Sequence, residues 1–193
     1  MKKFTKVLIA CAATMGTVFG VNNSQSLAQE RFYNIRARHS GQCLNVLNGG
    51  RDNGDNVVQA ENCSVDSSQW ELIRADRGYY YIRARHSGQC LNVLDRGRRN
   101  GDNVVQGYEC RSGNFQWAII PAGRRFNYLE ARHSGQCLNV LNSGRRNGDS
   151  VVQGEQCRSD SFEWEIIPAR REARSPRDSR YENRDRRYFR REY

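Results

Sequence analysis

The sequence lacks the motifs that most classes of enzyme require. It contains no Gly-x-Ser-x-Gly, no His-Glu-x-x-His and no glycine-rich phosphate loop. It also has no Cys-x-x-Cys pair of the kind that structural zinc sites use. No long stretch shows the spacing of apolar residues that marks an amphipathic helix. These absences predict an all-β protein that is not an enzyme and that holds no cofactor and no metal.

The first 28 residues have the pattern of a secretory signal peptide. Lys2, Lys3 and Lys6 precede an apolar run over residues 7–21, and Ser26-Leu27-Ala28 forms a small-x-small cleavage site. The run is shorter than the roughly 20 apolar residues that a membrane-spanning helix needs. We therefore expect cleavage after Ala28 and no transmembrane segment in the mature chain.

The stretch from Leu8 to Cys11 offers a competing interpretation, because it resembles a bacterial lipobox whose cysteine is acylated. The apolar segment before Cys11 is shorter than the apolar region of a signal peptide, which disfavours this alternative. The expected location is therefore secreted or periplasmic, with lipoprotein anchoring as the weaker option.

One segment occurs three times without a substitution. ARHSGQCLNVL is found at residues 37–47, 84–94 and 131–141, so the copies are 47 positions apart. A unit of this size is too small to bury a core alone, whereas three together can do so. We expect one domain over residues 29–168, made of repeats 1, 2 and 3 at about 31–74, 78–121 and 125–168.

The cysteines follow the same repeat. Without Cys11 the chain has six, two in each repeat, and an even number in an exported chain indicates disulfides. Bridges within each repeat are the simplest pairing consistent with threefold repetition: Cys43–Cys63, Cys90–Cys110 and Cys137–Cys157. Each would close a loop of about 20 residues and stabilise the fold by about 3 kcal/mol.

Each repeat contains short β-prone segments between turn residues. In repeat 1 these include residues 43–47, 57–59 and 70–73, and Ser40-Gly41 and Asn53-Gly54 are turn dipeptides. Four strands in each of three units give about twelve strands. Three units are too few for a propeller and suit a closed threefold arrangement. The predicted core comprises Trp70, Trp117, Trp164, Ile35, Ile82, Leu129, Val46, Val93, Val140, Leu72, Ile119 and Ile166.

The order Cys-Leu-Asn-Val, Asn-Gly-Asp, Val-Val-Gln, Cys and Trp in every unit resembles the ricin B-type lectin domains, which are similar to family 13 carbohydrate-binding modules. The resemblance covers residues 31–168 and implies a β-trefoil that binds glycans or cell-envelope polysaccharide. It also implies up to one shallow sugar pocket per repeat. In such pockets an acidic residue accepts hydrogen bonds from hydroxyls and an aromatic ring lies against the apolar face of the pyranose.

The three repeats differ at the positions that the resemblance assigns to sugar binding. The acidic position is asparagine in every repeat, and the stacking position is aromatic only at Tyr108, where the other repeats have Glu61 and Glu155. Repeat 2 also has Asn114 where the others have Ser67 and Ser161. The resemblance predicts one competent site: Asn92, Gln106, Tyr108 and Asn114. Weaker candidates are Asn45, Gln59, Asn139 and Gln153.

Two alternatives for individual residues stay open from the sequence. The glutamines and asparagines common to all three repeats could instead satisfy backbone groups of turns. His39, His86 and His133 could share a zinc ion at the symmetry axis, but their position in a turn favours a structural or pocket-rim role.

The chain beyond residue 168 differs in composition from the repeats. Residues 169–193 contain ten arginines and five acidic residues with interspersed aromatics, which predicts a basic tail that is disordered when free. Such a tail could bind an acidic polymer or act as a solubilising extension. Three functions therefore remain: a lectin-like protein with one site in repeat 2, a trefoil scaffold for adhesion or inhibition, and polyanion binding through the tail.

Overall fold

The computed structural model describes residues 32–169. The predictions for the signal peptide, for Cys11 and for the tail from residue 170 onward lie outside these residues. Within them the protein is an all-β trefoil with twelve strands, as the repeats predicted. The strands are β1 (Tyr33–Ala37), β2 (Cys43–Val46), β3 (Val57–Ala60), β4 (Gln69–Arg74), β5 (Tyr79–Ala84), β6 (Cys90–Val93), β7 (Val104–Gly107), β8 (Gln116–Pro121), β9 (Phe126–Ala131), β10 (Cys137–Val140), β11 (Val151–Gly154) and β12 (Trp164–Pro168).

Six of the strands form a closed barrel. β1 pairs with β4, β4 with β5, β5 with β8, β8 with β9, β9 with β12, and β12 returns to β1, all antiparallel. Closure leaves no free edge in this ring. Each repeat supplies two of the barrel strands, so the domain is complete only when all three repeats are present.

The other six strands form three hairpins that meet one another. β2 pairs with β3, β6 with β7 and β10 with β11. Isolated bridges join the hairpins: Asn56 to Val105, Val58 to Ser150 and Asn103 to Val152. Every hairpin therefore touches both others, and the loop of one repeat lies beside a strand of the next.

The core is built from the same positions of each repeat. Trp70, Trp117 and Trp164 are fully buried, and the indole N–H of Trp70 donates to the carbonyl of Leu44 at 2.9 Å. Trp117 and Trp164 make the equivalent bonds. The predicted isoleucine, leucine and valine positions at 35, 82, 129, 46, 93 and 140 are also fully buried.

Leu72, Ile119 and Ile166 differ from the prediction. They are only partly buried and pack against the edge of the core. They lie two positions after Trp70, Trp117 and Trp164, on the same face of each strand.

The three predicted disulfides are present, joining Cys43 to Cys63, Cys90 to Cys110 and Cys137 to Cys157. The predicted turns are present too, because Gly41 and Gly54 have φ of 73° and 91°, which glycine adopts without strain.

The sequence did not predict the six short 3-10 turns, and the strand expected over residues 43–47 ends at Val46 because Leu47 begins one of them. The 3-10 turns are Leu47–Gly49, Asp66–Ser68, Leu94–Arg96, Gly113–Phe115, Leu141–Ser143 and Asp160–Phe162. None of the helical segments within residues 32–169 has the length and apolarity that crossing a membrane requires.

Candidate functional site

A cleft of about 330 Å³ lies on the surface of repeat 2. Its walls come from β6, from the end of β7 and from the 3-10 turns Leu94–Arg96 and Gly113–Phe115. The four residues predicted as a sugar site all line this cleft: Asn92, Gln106, Tyr108 and Asn114. The fold therefore brings together residues that are up to 22 positions apart in the sequence.

Tyr108 is the exposed aromatic residue of the cleft. It follows the last residue of β7, and 67% of its surface is accessible. Its backbone N–H donates to Oδ1 of Asn53 at 3.2 Å, which fixes the strand end that carries the ring. No core contact explains so large an apolar surface in solvent, so the ring is available to a ligand.

Two amides form the deeper part of the cleft. Asn92 and Asn114 are 6% and 5% exposed, and Nδ2 of Asn114 donates to Oδ1 of Asn92 at 3.5 Å. Nδ2 of Asn92 reaches the carbonyl of Val105 at 3.3 Å, and Oδ1 of Asn114 accepts from Ser112 at 2.7 Å. The two longer contacts are at the limit of hydrogen bonding, so both amides keep capacity for further partners.

Gln106 has a different role from the other three residues. Its side chain is fully buried, and its Nε2 donates to the carbonyls of Gly50 and Asp52 at 3.0 and 3.1 Å. Its Oε1 accepts from Ser87 at 2.8 Å. The amide of Gln106 is therefore occupied by the loop of repeat 1 and supports the cleft from behind without facing a ligand.

The weaker candidates Gln59 and Gln153 repeat this arrangement. Nε2 of Gln59 donates to the carbonyls of Gly144 and Arg146, both at 3.0 Å. Gln153 makes the corresponding bonds to repeat 2. All three glutamines thus hold the loop of a neighbouring repeat, which is the structural role that the sequence had left open.

The histidines also hold neighbouring loops. Nε2 of His86 lies 2.7 Å from the carbonyl of Gly50, and His39 and His133 make the same contact with Gly144 and Gly97. Each histidine therefore binds a different loop, as a structural residue does. Among residues 32–169 the one group of metal-type ligands is Glu130 with Cys137 and Cys157, and those cysteines form a disulfide.

A close approach of the backbone shapes the floor of the cleft. A Cβ on Gly107 would lie 2.8 Å from Nδ2 of Asn92 and 3.0 Å from Cε1 of Phe115. Only glycine leaves room for both side chains at this position. Gly154 allows Phe162 the same approach in repeat 3, whereas repeat 1 has Ala60 and the smaller Ser68 at these positions.

The loop of repeat 1 contributes to the cleft of repeat 2. Asn53 and Gly54 line it, and the Gly54 N–H donates to the carbonyl of Gln106 at 2.9 Å. Asn53 and Gly54 were not predicted as site residues from the sequence, and neither were Asp95, Arg96 and Glu109 of the rim. Alignment of the three repeats could have identified Asp95, Arg96 and Glu109, because each differs from the residues at the same position in repeats 1 and 3.

The corresponding amide of repeat 1 is engaged internally. Nδ2 of Asn45 donates to Ser67 at 3.0 Å and to Ser68 at 2.7 Å, so both amide hydrogens are used. The stacking position is the exposed Glu61. Repeat 1 therefore lacks both the ring and the spare donors of repeat 2.

Repeat 3 shares one feature with repeat 2 and one with repeat 1. Oδ1 of Asn139 is buried and has no hydrogen-bond partner within residues 32–169, and Ser161 bonds Ser143 and Ser159. The stacking position is the exposed Glu155. Repeat 3 thus has an unsatisfied amide oxygen without a ring beside it.

Comparisons with known proteins agree with this architecture. Residues 18–107 and 67–154 match the sequence model of the family described as ricin-type beta-trefoil lectin domain-like. The search of curated proteins found no match.

Solved structures share the fold. The designed threefold-symmetric protein ThreeFoil is 36% identical with a TM-score of 0.69, over 70% of this chain and 97% of that one. An exo-beta-1,3-galactanase from Clostridium thermocellum is 25% identical with a TM-score of 0.70, over 72% of this chain but only 30% of the enzyme. A Macrolepiota procera ricin B-like lectin in complex with lactose is 17% identical with a TM-score of 0.62, over 72% and 95% of the two chains.

Proposed function

Because the chain belongs to the ricin-type beta-trefoil lectin domain-like family, we propose that it binds carbohydrate through the cleft of repeat 2 and catalyses no reaction. The observation that carries this proposal is the exposed ring of Tyr108 above the recessed amides of Asn92 and Asn114. Neither of the other repeats places a ring at this position.

The chemistry of a pyranose matches these groups. Its hydroxyls lie around the edge of the ring and need both donors and acceptors, which two asparagine amides supply. Its C–H groups cluster on one face and pack against an aromatic side chain. Tyr108 would take that face, Asn92 and Asn114 would bond hydroxyls, and Gln106 would hold the wall in place.

The wider setting of the protein is also a proposal. The secretory signal expected over residues 1–28 supports export to the periplasm or the exterior, where glycans or cell-envelope polysaccharide are available as partners. The lectin from Macrolepiota procera, in complex with lactose, shares the fold and supports a carbohydrate partner in general.

The test is a glycan panel probed with the mature protein, residues 29–193, at low and high salt. Tyr108→Ala should remove binding, and Glu155→Ala is the matched control because Glu155 occupies the same position in repeat 3. A chain that ends at residue 169 should bind as the full chain does. Binding that survives Tyr108→Ala would contradict the site, and binding lost on truncation or in high salt would assign function to the arginine-rich tail.

A scaffold function is the second candidate, and one observation favours it. The residues kept in all three repeats, including the glutamines and histidines, bind loops of neighbouring repeats. Their identity therefore follows from folding alone. A panel on which neither the parent protein nor any variant binds a glycan would favour this candidate.

A further inference from the structure

Some of the residues that distinguish repeat 2 from both other repeats lie together on the cleft. Since the repeats are otherwise so similar, a position that differs only in repeat 2 marks a requirement of that repeat. Three such residues line the cleft, each followed by its counterparts in repeats 1 and 3: Asp95 (Asn48, Asn142), Tyr108 (Glu61, Glu155) and Asn114 (Ser67, Ser161). Arg96 and Glu109 also line the cleft, at positions where all three repeats differ.

The backbone does not explain the carboxylate of Asp95. This residue has φ of 50°, and its counterparts Asn48 and Asn142 both have φ of 53°. Asparagine is at least as well suited to this left-handed conformation as aspartate, so the turn itself does not require a charge. The replacement of an amide by a carboxylate at the same place therefore needs another reason.

The next residue of the turn is left-handed in every repeat. Arg96 has φ of 56°, Gly49 of repeat 1 has 63° and Ser143 of repeat 3 has 50°. Because repeat 3 also has a non-glycine residue here, backbone strain does not set repeat 2 apart. What is particular to the turn of repeat 2 is its pair of charged side chains, Asp95 and Arg96.

The carboxylate of Asp95 has no partner within residues 32–169. Asp95 is exposed and its carboxylate makes no hydrogen bond or ion pair with any residue in 32–169, and the guanidinium of Arg96 makes none either. The carboxylate instead borders the cleft, where the polar groups of the floor are the neutral amides of Asn92 and Asn114.

We propose that Asp95 is the charged hydrogen-bond acceptor of the cleft and selects a neutral pyranose that presents two adjacent hydroxyls to it. The proposal rests on the carbohydrate-binding function proposed above. A carboxylate has two oxygens and binds hydroxyl donors more strongly than an amide does. Asp95 and Tyr108, both on the rim, would hold the edge and the face of one sugar ring.

The charges of the rim also set which sugars are excluded. Asp95 and Glu109 contribute two negative charges and Arg96 one positive charge, so the rim is net negative. A uronic acid would bring its own carboxylate toward this net negative rim, and repulsion between like charges disfavours it. The cleft should therefore prefer a neutral hexose to the corresponding hexuronate.

The test is the Asp95→Asn variant of the mature protein, titrated with three pairs of probes: galactose and galacturonate, glucose and glucuronate, mannose and mannuronate. Asparagine occupies the equivalent position in the other repeats, so the fold should be unaffected and the thermal unfolding midpoint unchanged. We expect affinity for the preferred neutral sugar to fall about tenfold, and the preference over its uronate to narrow. Glu109→Gln, which removes the other carboxylate of the rim, is the matched control and should change neutral-sugar affinity less than about twofold.

The outcomes separate this inference from the function on which it rests. If the parent binds a neutral sugar and Tyr108→Ala removes that binding while Asp95→Asn leaves affinity and preference unchanged, the role of Asp95 is wrong and the cleft is still the site. If Glu109→Gln has the effect expected of Asp95→Asn, the acceptor has been assigned to the wrong carboxylate. If the parent binds no sugar, both proposals are wrong.

Discussion

The clefts of repeats 2 and 3 share a frame and differ in what they present to solvent. Both have the buried glutamine, the glycine at the strand end and a phenylalanine beneath it. Repeat 2 adds an exposed tyrosine, and repeat 3 has Glu155 in its place. The shared glutamine bonds to the loop of a neighbouring repeat, and the shared glycine leaves room for the phenylalanine of its own repeat. No hydrogen bond joins the side chain of Tyr108 or Glu155 to another repeat within residues 32–169. In these two clefts, the residues that are identical maintain the fold, and the residue that differs at the strand end is the one exposed to a ligand.

The largest expected effect comes from transferring the distinguishing residues. Glu155→Tyr, Ser161→Asn and Asn142→Asp would give repeat 3 the surface residues of repeat 2 on a frame that already has Gly154 and Phe162. We expect the number of sugars bound per chain, measured by titration calorimetry, to rise from one to two.

The control is a variant with the matching substitutions in repeat 1: Glu61→Tyr, Ser67→Asn and Asn48→Asp. Its frame has Ala60 and Ser68 in place of glycine and phenylalanine, so it should gain a weaker site. An unchanged stoichiometry after the substitutions in repeat 3 would show that the transferred residues are not sufficient for a site.

The shared frame should respond equally in all repeats. Gln106→Ala removes a fully buried side chain whose amide donates to the carbonyls of Gly50 and Asp52 and accepts from Ser87, so these three hydrogen bonds are lost and a cavity is left. We expect a loss of about 2–4 kcal/mol in the free energy of unfolding, measured with urea. Gln59→Ala and Gln153→Ala should cost the same to within about 1 kcal/mol. A cost confined to repeat 2 would contradict a purely structural role for the glutamine.

A smaller effect is expected at the floor of the cleft. Gly107→Ala places a Cβ within 3.0 Å of both Asn92 and Phe115, which must then shift. We expect a loss of about 1–3 kcal/mol in stability together with weaker sugar binding. The converse change in repeat 1, Ala60→Gly, should cost only about 0.5–1 kcal/mol of backbone entropy. Unchanged stability and affinity in Gly107→Ala would show that the floor is not tightly packed.

The smallest effect concerns the contact of Arg132 with Asp76, at 2.6 Å. The hydrogen bond from Arg132 lowers the pKa of Asp76 below its ordinary value of 3.8. A carboxyl whose pKa is lowered on folding stabilises the protein above its unfolded pKa, and this contribution disappears as the pH falls through the folded pKa. Asp76→Asn should therefore lower the melting temperature slightly at pH 6 and not at all near pH 2. A larger difference at pH 2 than at pH 6 would contradict this sign.

The sequence predicted the features that repetition makes visible. The sequence repeats at a fixed interval, and the strands, disulfides and buried tryptophans lie at the same positions of each repeat. A structure predicted for one repeat therefore applies to all three. The single ring of Tyr108 was visible as the exception to a repeated pattern.

The features that the sequence did not predict depend on contacts between repeats. Nothing in the period indicates that the loop carrying Asn53 lies beside β7 of the next repeat, or that this loop supplies the carbonyls to which Gln106 donates. The positive φ of Asp95 could not be predicted either. It depends on the local geometry of the turn and not on a pattern of apolar residues.

We propose that this protein binds sugar in the cleft of repeat 2. The most direct measurement is an NMR titration of the 15N-labelled mature protein with the glycan that binds best on the panel. We expect saturable shifts of the side-chain amides of Asn92 and Asn114 and of the Tyr108 backbone, with the signals of Asn45 and Asn139 unchanged. Shifts of equal size in all three repeats, or shifts confined to the residues beyond 169, would contradict it.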